Sequence, residues 1–194
     1  MISISGKEWK EYKVPKRLID KYSSDFDISE NLSKFYLIRN FNKEDILVKN
    51  VTNNNLNIFS NNKDFLSGTK ILIDIIRNKK KTLIFGDYDV DGISSITILS
   101  SFFRHLGHPF KYVIPDRFID GYGPNIRLLE QNLDKEIDNI IFLDCGSNSH
   151  DVINYLNSKK IKSIIVDHHI INDLNMPKSN VLINPTKNNL KFIK

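Results

Sequence analysis

Leu83-Ile84-Phe85-Gly86-Asp87-Tyr88-Asp89-Val90-Asp91-Gly92 is the stretch around which the chain is organised. A run of β-type apolar residues stops at a glycine, three aspartates follow at alternate positions, and a second glycine closes the turn. Ile93-Ser94-Ser95-Ile96-Thr97-Ile98-Leu99 then opens a helix-like pattern. In an open α/β sheet, ligands bind where a strand ends in such a loop and feeds a helix. Three neighbouring carboxylates repel one another, so gathering them costs energy unless positive charge lies between them. A divalent cation is the most direct supply of that charge. The same residues also suit an exposed acidic turn, because Asp and Gly are favoured there, and this stretch alone does not choose between the two.

Outward from it, strand and helix patterns alternate. Strands are expected at 82–86, 110–114, 139–143, 162–166 and 181–183, and helices at 63–78, 92–106, 124–133 and 149–158. Such alternation predicts a parallel, doubly wound (Rossmann-like) α/β sheet of about five strands with helices on both faces. Residues 1–62 read as a helical and irregular N-terminal extension, and 63–194 as the α/β domain. In the extension, Asp27 or Ser29 is placed to cap a helix through Asn40. Trp9 and Tyr12 read as packing anchors, and the Asn-rich segment 50–62 as a mobile connection. His105 and His108, beside the Gly107 stop signal, read as surface or capping residues.

With 194 residues, 40% of them hydrophobic, the chain has enough apolar side chains for one domain with a small appendage. The formal net charge of +5 suits a phosphate-rich partner but does not require one. No apolar run approaches the ~20 residues that span a bilayer, and Met1–Lys10 lacks the apolar core of a signal peptide. The expectation is a cytoplasmic protein without a membrane partner. The single cysteine, Cys145, excludes an internal disulfide and a multi-cysteine zinc site. It reads as a small buried apolar residue.

Two more expected strands run into polar residues: Ile140-Ile141-Phe142-Leu143 into Asp144-Cys145-Gly146, and Ser163-Ile164-Ile165-Val166 into Asp167-His168-His169. In a parallel sheet all three ends emerge on one edge. Asp with His favours Mn²⁺ or Mg²⁺ over calcium, which prefers oxygen alone. Ligands from separate strands can hold two ions about 3.5–4 Å apart. The Pro115–Pro124 stretch is too rich in glycine and charge for strand or helix. Its Arg117 offers a planar fork for a phosphate and Tyr122 a ring for a base; an ordinary loop with a buried tyrosine is the plainer alternative. Ser94 and Ser95 suit either anion binding at a helix start or an N-cap.

Gly86-Asp87-Tyr88-Asp89-Val90-Asp91-Gly92, Asp144-Cys145-Gly146 and Asp167-His168-His169 resemble the first three motifs of the DHH phosphoesterase superfamily. The Arg117–Gly123 loop (Arg-x-x-x-Gly-Tyr-Gly) and the lead-in helices resemble its RecJ branch of single-strand-specific 5′ to 3′ DNA exonucleases. The resemblance covers roughly residues 30–186. It departs at Arg39-Asn40, where Arg-Gly is expected.

The resemblance implies that Asp87, Asp89, Asp91, Asp144 and His168 are metal ligands. Asp167 would be a partner behind them or an additional ligand, and His169 would meet the scissile phosphate. It also implies two-metal hydrolysis with Mn²⁺ or Mg²⁺, single-stranded DNA as partner, and a role in DNA repair and recombination. The family's fourth aspartate motif and its C-terminal substrate-binding domain find no counterpart after His169, where the next carboxylate is Asp173. The sequence is therefore expected to be the N-terminal portion of a RecJ-like protein, weak or inactive alone, with a separate chain as a candidate for the other half. Hydrolysis of small phosphates or short oligonucleotides, and a non-catalytic nucleic-acid-binding or assembly module, are the other readings.

Overall fold

The computed structural model describes residues 6, 8, 10–41, 62–171 and 176–187. Trp9, nearly all of segment 50–62 and Asp173 lie outside the described residues. The chain divides into two compact units, Met1–Leu56 with Ile193–Lys194, and Asn57–Phe192.

In the first unit, helix α1 (Lys16–Phe26) ends at Asp27, which takes a left-handed conformation at φ 51°. Helix α2 (Glu30–Ile38) starts at Ser29, whose hydroxyl accepts from the Leu32 amide. Of the two expected caps, Ser29 therefore opens the helix, while Asp27 closes the one before. Asn40 sits at φ 53°. Asparagine visits this left-handed region more readily than any branched residue, so it serves where a glycine was expected.

The second unit begins with helix α3 (Lys63–Arg77), capped by the Asn62 side chain on the Phe65 amide. There follow β1 (Lys81–Gly86), α4 (Val90–His105), β2 (Phe110–Val113), α5 (Ile126–Asn132), β3 (Ile137–Leu143), α6 (His150–Ser158), β4 (Lys162–Val166) and β5 (Val181–Ile183). The five strands form one sheet in the order β2-β1-β3-β4-β5, with every pairing parallel. This is the doubly wound α/β architecture expected from the alternation.

Strand residues alternate between two cores, as the period of two requires. Ile84, Ile141, Ile164 and Val181 pack with Ile75 of α3 and with Ile96 and Phe103 of α4. Leu83, Phe85, Ile140, Phe142, Ile165 and Leu182 pack with Leu128 and Leu129 of α5 and with Val152, Ile153 and Leu156 of α6. Both faces are covered, which explains why the strands read as unbroken apolar runs. Cys145 is buried in the second core.

His108 departs from the surface role expected of it. It is buried, its ring centroid lies 4.5 Å from that of Phe103, and its Nε2 lies 3.1 Å from the Thr82 hydroxyl. Its backbone does cap the helix, His108 N–H donating to Phe103 O at 2.9 Å beside Gly107 at φ 59°, while its side chain is buried. Among the described residues, no helix is long and apolar enough to cross a membrane.

Candidate metal centre

The register of the sheet sets the site. Gly86 pairs with Leu143, Leu143 with Val166, and Val166 with Ile183. The next residue on each strand is polar: Asp87, Asp144, Asp167 and Asn184. These four stand in a row along the carboxyl edge, extended by Asp144 N–H donating to Val166 O (2.8 Å) and Asp167 N–H to Ile183 O (3.0 Å). The strand order reverses between β1 and β3, the place where doubly wound sheets open a crevice at that edge.

Asp87 is buried, with Oδ1 accepting from the Tyr88 amide at 2.8 Å. Burial raises its pKa above the ordinary carboxylate value, against that amide, with the Asp89 charge adding to the rise. Asp89 is the N-cap of α4. Its Oδ1 accepts from Asp91 N–H and Gly92 N–H, each at 3.0 Å, and the Gly92 bond leads the effects that hold its pKa low. This arrangement requires glycine at 92: a Cβ there would lie 2.3 Å from the Asp87 carbonyl oxygen. Helix α4 can start this close to β1 only without a side chain at that point.

Asp144 takes φ 61° and is buried, with Oδ1 3.0 Å from His168 Nε2. Its Oδ2 is buried without a hydrogen-bond partner. Burial and the neighbouring Asp89 charge push its pKa up to about 6. Asp167 is the opposite case. Its Oδ1 accepts from His168 N–H (2.7 Å), His169 N–H (3.1 Å) and His169 Nδ1 (2.7 Å), and its Oδ2 from Ser147 N–H (3.0 Å). Burial works to raise its pKa, but the bonds from Ser147 and His169 outweigh it and the net value is lowered.

Two sets of side chains can each bring ligand atoms within 4.8 Å of one another: Asp87, Asp89 and Asp144, and Asp144, His168 and His169. Asp144 belongs to both. Asp167, saturated by its donors, stands behind His169 and joins neither. Asp91 falls outside both sets. The helix starts at Val90, so Asp91 stands in its first turn and not in extended chain with Asp87 and Asp89. It lines an adjoining cavity of about 570 Å³ with Ser94, Ser95, Asp144 and His168. Neither serine caps the helix, since Asp89 does.

In the 115–124 loop, Arg117 is exposed, its guanidinium carbon 5.7 Å from the Tyr88 ring centroid. Tyr122 is 59% exposed rather than buried, and its hydroxyl lies 3.1 Å from His169 Nε2. Asn184 escaped the sequence reading as a site residue. Buried, it donates to Ser147 Oγ and to His169 O, both at 2.9 Å, and so ties the β5 edge to the histidine pair. Its signals were the Pro185 that follows it, in an Asn-Pro pair resembling the one that closes the family's third motif, and its place one residue beyond a short strand.

The family model described as DHH family, N-terminal domain, matches residues 81–191. Curated relatives include the single-stranded-DNA-specific exonuclease RecJ of Escherichia coli, 31% identical over 124 residues, 63% of this chain and 21% of the relative. The RecJ of Haemophilus influenzae is 29% identical over 123 residues, with the same two shares. The chain thus spans about a fifth of the length of these relatives. Among solved structures, an exonuclease RecJ bound to manganese matches at 28% identity with a TM-score of 0.55, over 60% of this chain and 29% of that one. RecJ from Thermus thermophilus in complex with Mn²⁺ shares the fold over 92% of this chain and 25% of its own, at 20% identity and a TM-score of 0.63.

Proposed function

This chain belongs to the DHH family, and we propose that its α/β unit carries a divalent-cation-dependent phosphodiesterase site acting on single-stranded DNA. The observation that carries the reading is the convergence of Asp87, Asp89, Asp144, His168 and His169 from three strand ends, with a buried oxygen of Asp144 left unpartnered. Among the described residues, no lysine or arginine forms an ion pair with these three aspartates. Their mutual repulsion therefore calls for a cation, and carboxylate with imidazole fits Mn²⁺ or Mg²⁺. Asp87, Asp89, Asp144 and His168 would hold it, with Asp144 common to both sets. When bound, such ions lower the pKa of a water and take up charge on the attacking and leaving oxygens.

The chain's own residues do the rest. Asp167 fixes the His169 ring through Nδ1, so that Nε2 is the nitrogen available to a phosphate oxygen. Arg117 offers a fork for a backbone phosphate, and the net charge of +5 attracts a polyanion. The RecJ relatives, named for single-stranded-DNA-specific exonuclease activity, support this choice of substrate.

The test is Mn²⁺ titration by calorimetry, followed by incubation with end-labelled single- and double-stranded DNA. Saturable heat in the wild type, its loss in Asp144→Asn, and nucleotide release from the single strand alone are expected. Heat of the same size in Asp144→Asn would refute the assignment of the site.

A further inference from the structure

Resting on that reading, we propose that Tyr122 is the positioning residue of the site: its hydroxyl holds the His169 ring so that a ring nitrogen stays within reach of Asp144 and His168. Asp167 alone does not achieve this. Its bond to Nδ1 (2.7 Å) fixes one edge of the imidazole, but a ring held by one hydrogen bond still tilts about that bond. The Tyr122 hydroxyl supplies a second restraint. It lies 3.1 Å from Nε2 and 3.4 Å from Nδ1. Near-equal distances to both nitrogens place the oxygen over the N–C–N edge of the ring, off its plane, not on the in-plane lone pair of either nitrogen. The contact therefore restrains the tilt while leaving the in-plane direction of Nε2 open, and His169 keeps a ligand-capable atom within 4.8 Å of Asp144 and His168.

Burial does not account for the placement, because more than half of the Tyr122 surface faces solvent. The loop is built to hold it. Gly121 and Gly123, on either side, both take φ 76°, a conformation that residues with side chains resist. Nothing lies within 4 Å of a Cβ at either one, so their glycines serve backbone conformation, not close packing. Asp120 anchors the near end: its carboxylate pairs with Arg127 and accepts from the Asp116 amide at 2.7 Å. The Tyr88 ring meets Tyr122 edge-on, at 6.5 Å between centroids.

Tyr122→Phe in the 194-residue chain removes the hydroxyl and keeps the ring. With end-labelled oligothymidylate and Mn²⁺, kcat should fall about tenfold with KM within twofold, the signature of a group that orients and does not bind. In the metal-free chain, ¹⁵N-edited spectra of the histidine rings should show the His169 nitrogens shifted and broadened, while the His108 and His168 signals stay in place. Tyr122→Leu should reproduce both effects. If the His169 signals in Tyr122→Phe match the wild type, the proposal is overturned, whatever happens to kcat. Shifted His169 signals in a chain that cleaves no DNA would uphold the positioning contact and count against the phosphodiesterase reading instead.

Discussion

Replacing Asp144 by Asn should make the metal-free protein more stable while destroying its metal site. Burial, aided by the Asp89 charge, lifts the Asp144 pKa from 3.8 to about 6. The folded state thus holds that proton more tightly than the unfolded chain does. As pH rises from about 4 through 6, the fold loses stability, and by pH 7 the whole cost is present. At about 1.4 kcal/mol for each pH unit separating the two values, it comes to about 3 kcal/mol.

Asparagine removes that charge at little backbone cost, because it tolerates the φ of 61° found at this position. One buried polar atom stays unpartnered in either case. The value of about 6 already includes the opposing pull of His168, so the expected gain at pH 7 stays at about 3 kcal/mol. Urea denaturation in EDTA at pH 7 should show a higher midpoint for Asp144→Asn, with the advantage gone by pH 4. Added Mn²⁺ at a hundred times its dissociation constant should stabilise only the wild type, by about 2.7 kcal/mol. A variant less stable than wild type in EDTA at pH 7, or an advantage equal at pH 4 and pH 7, would show that the buried charge of this carboxylate is not a cost that the fold carries.

Gly92→Ala should destabilise the fold by about 1–3 kcal/mol and weaken Mn²⁺ binding together, because the new Cβ collides with the backbone of Asp87; denaturation and calorimetry on one preparation check both. Burial lowers the His108 pKa, so the fold favours the neutral ring and loses stability as pH falls below 6.5. In His108→Gln that loss should be absent, read as the difference between variant and wild-type urea midpoints from pH 7.5 to 5. Arg117→Ala should weaken single-stranded DNA binding about tenfold and leave Mn²⁺ affinity unchanged, as measured by fluorescence anisotropy beside calorimetry; if only small-phosphate hydrolysis suffers, the substrate is a small phosphate. Asp120→Ala, which frees Arg127 and the Asp116 amide and so loosens the loop that carries Arg117 and Tyr122, should likewise weaken DNA binding in the anisotropy assay.

The strands were legible because burial on both faces writes them as apolar runs, and each run stops at the residue that leaves the sheet. Strands 162–166 and 181–183 need no change of boundary, and β3 gains only the two residues before 139. Helix α1 was not resolved from its irregular surroundings, since its apolar residues are few. Asp91 stands in the first turn of α4, one residue before the expected helix start at 92, and only the Asp89 cap reveals that the helix begins there. His108 and Tyr122 were opaque for a shared reason. The direction of a side chain beside a turn depends on backbone angles set by neighbouring glycines and by distant partners such as Thr82 and His169, and local composition carries neither. Asn184 could be placed only from strand register, which pairwise spacing along the chain does not encode.

The clustered carboxylates and imidazoles hang from β1, β3 and β4, the inner strands, whereas Arg117 and Tyr122 arrive on the loop that follows the edge strand β2. The interior strands gather the charge, and the edge loop reaches it through Tyr122 and His169. The 115–124 segment is thus peripheral in the sheet yet wired to its centre: an engineer could graft a different one onto the edge only by keeping a hydroxyl at position 122 against His169.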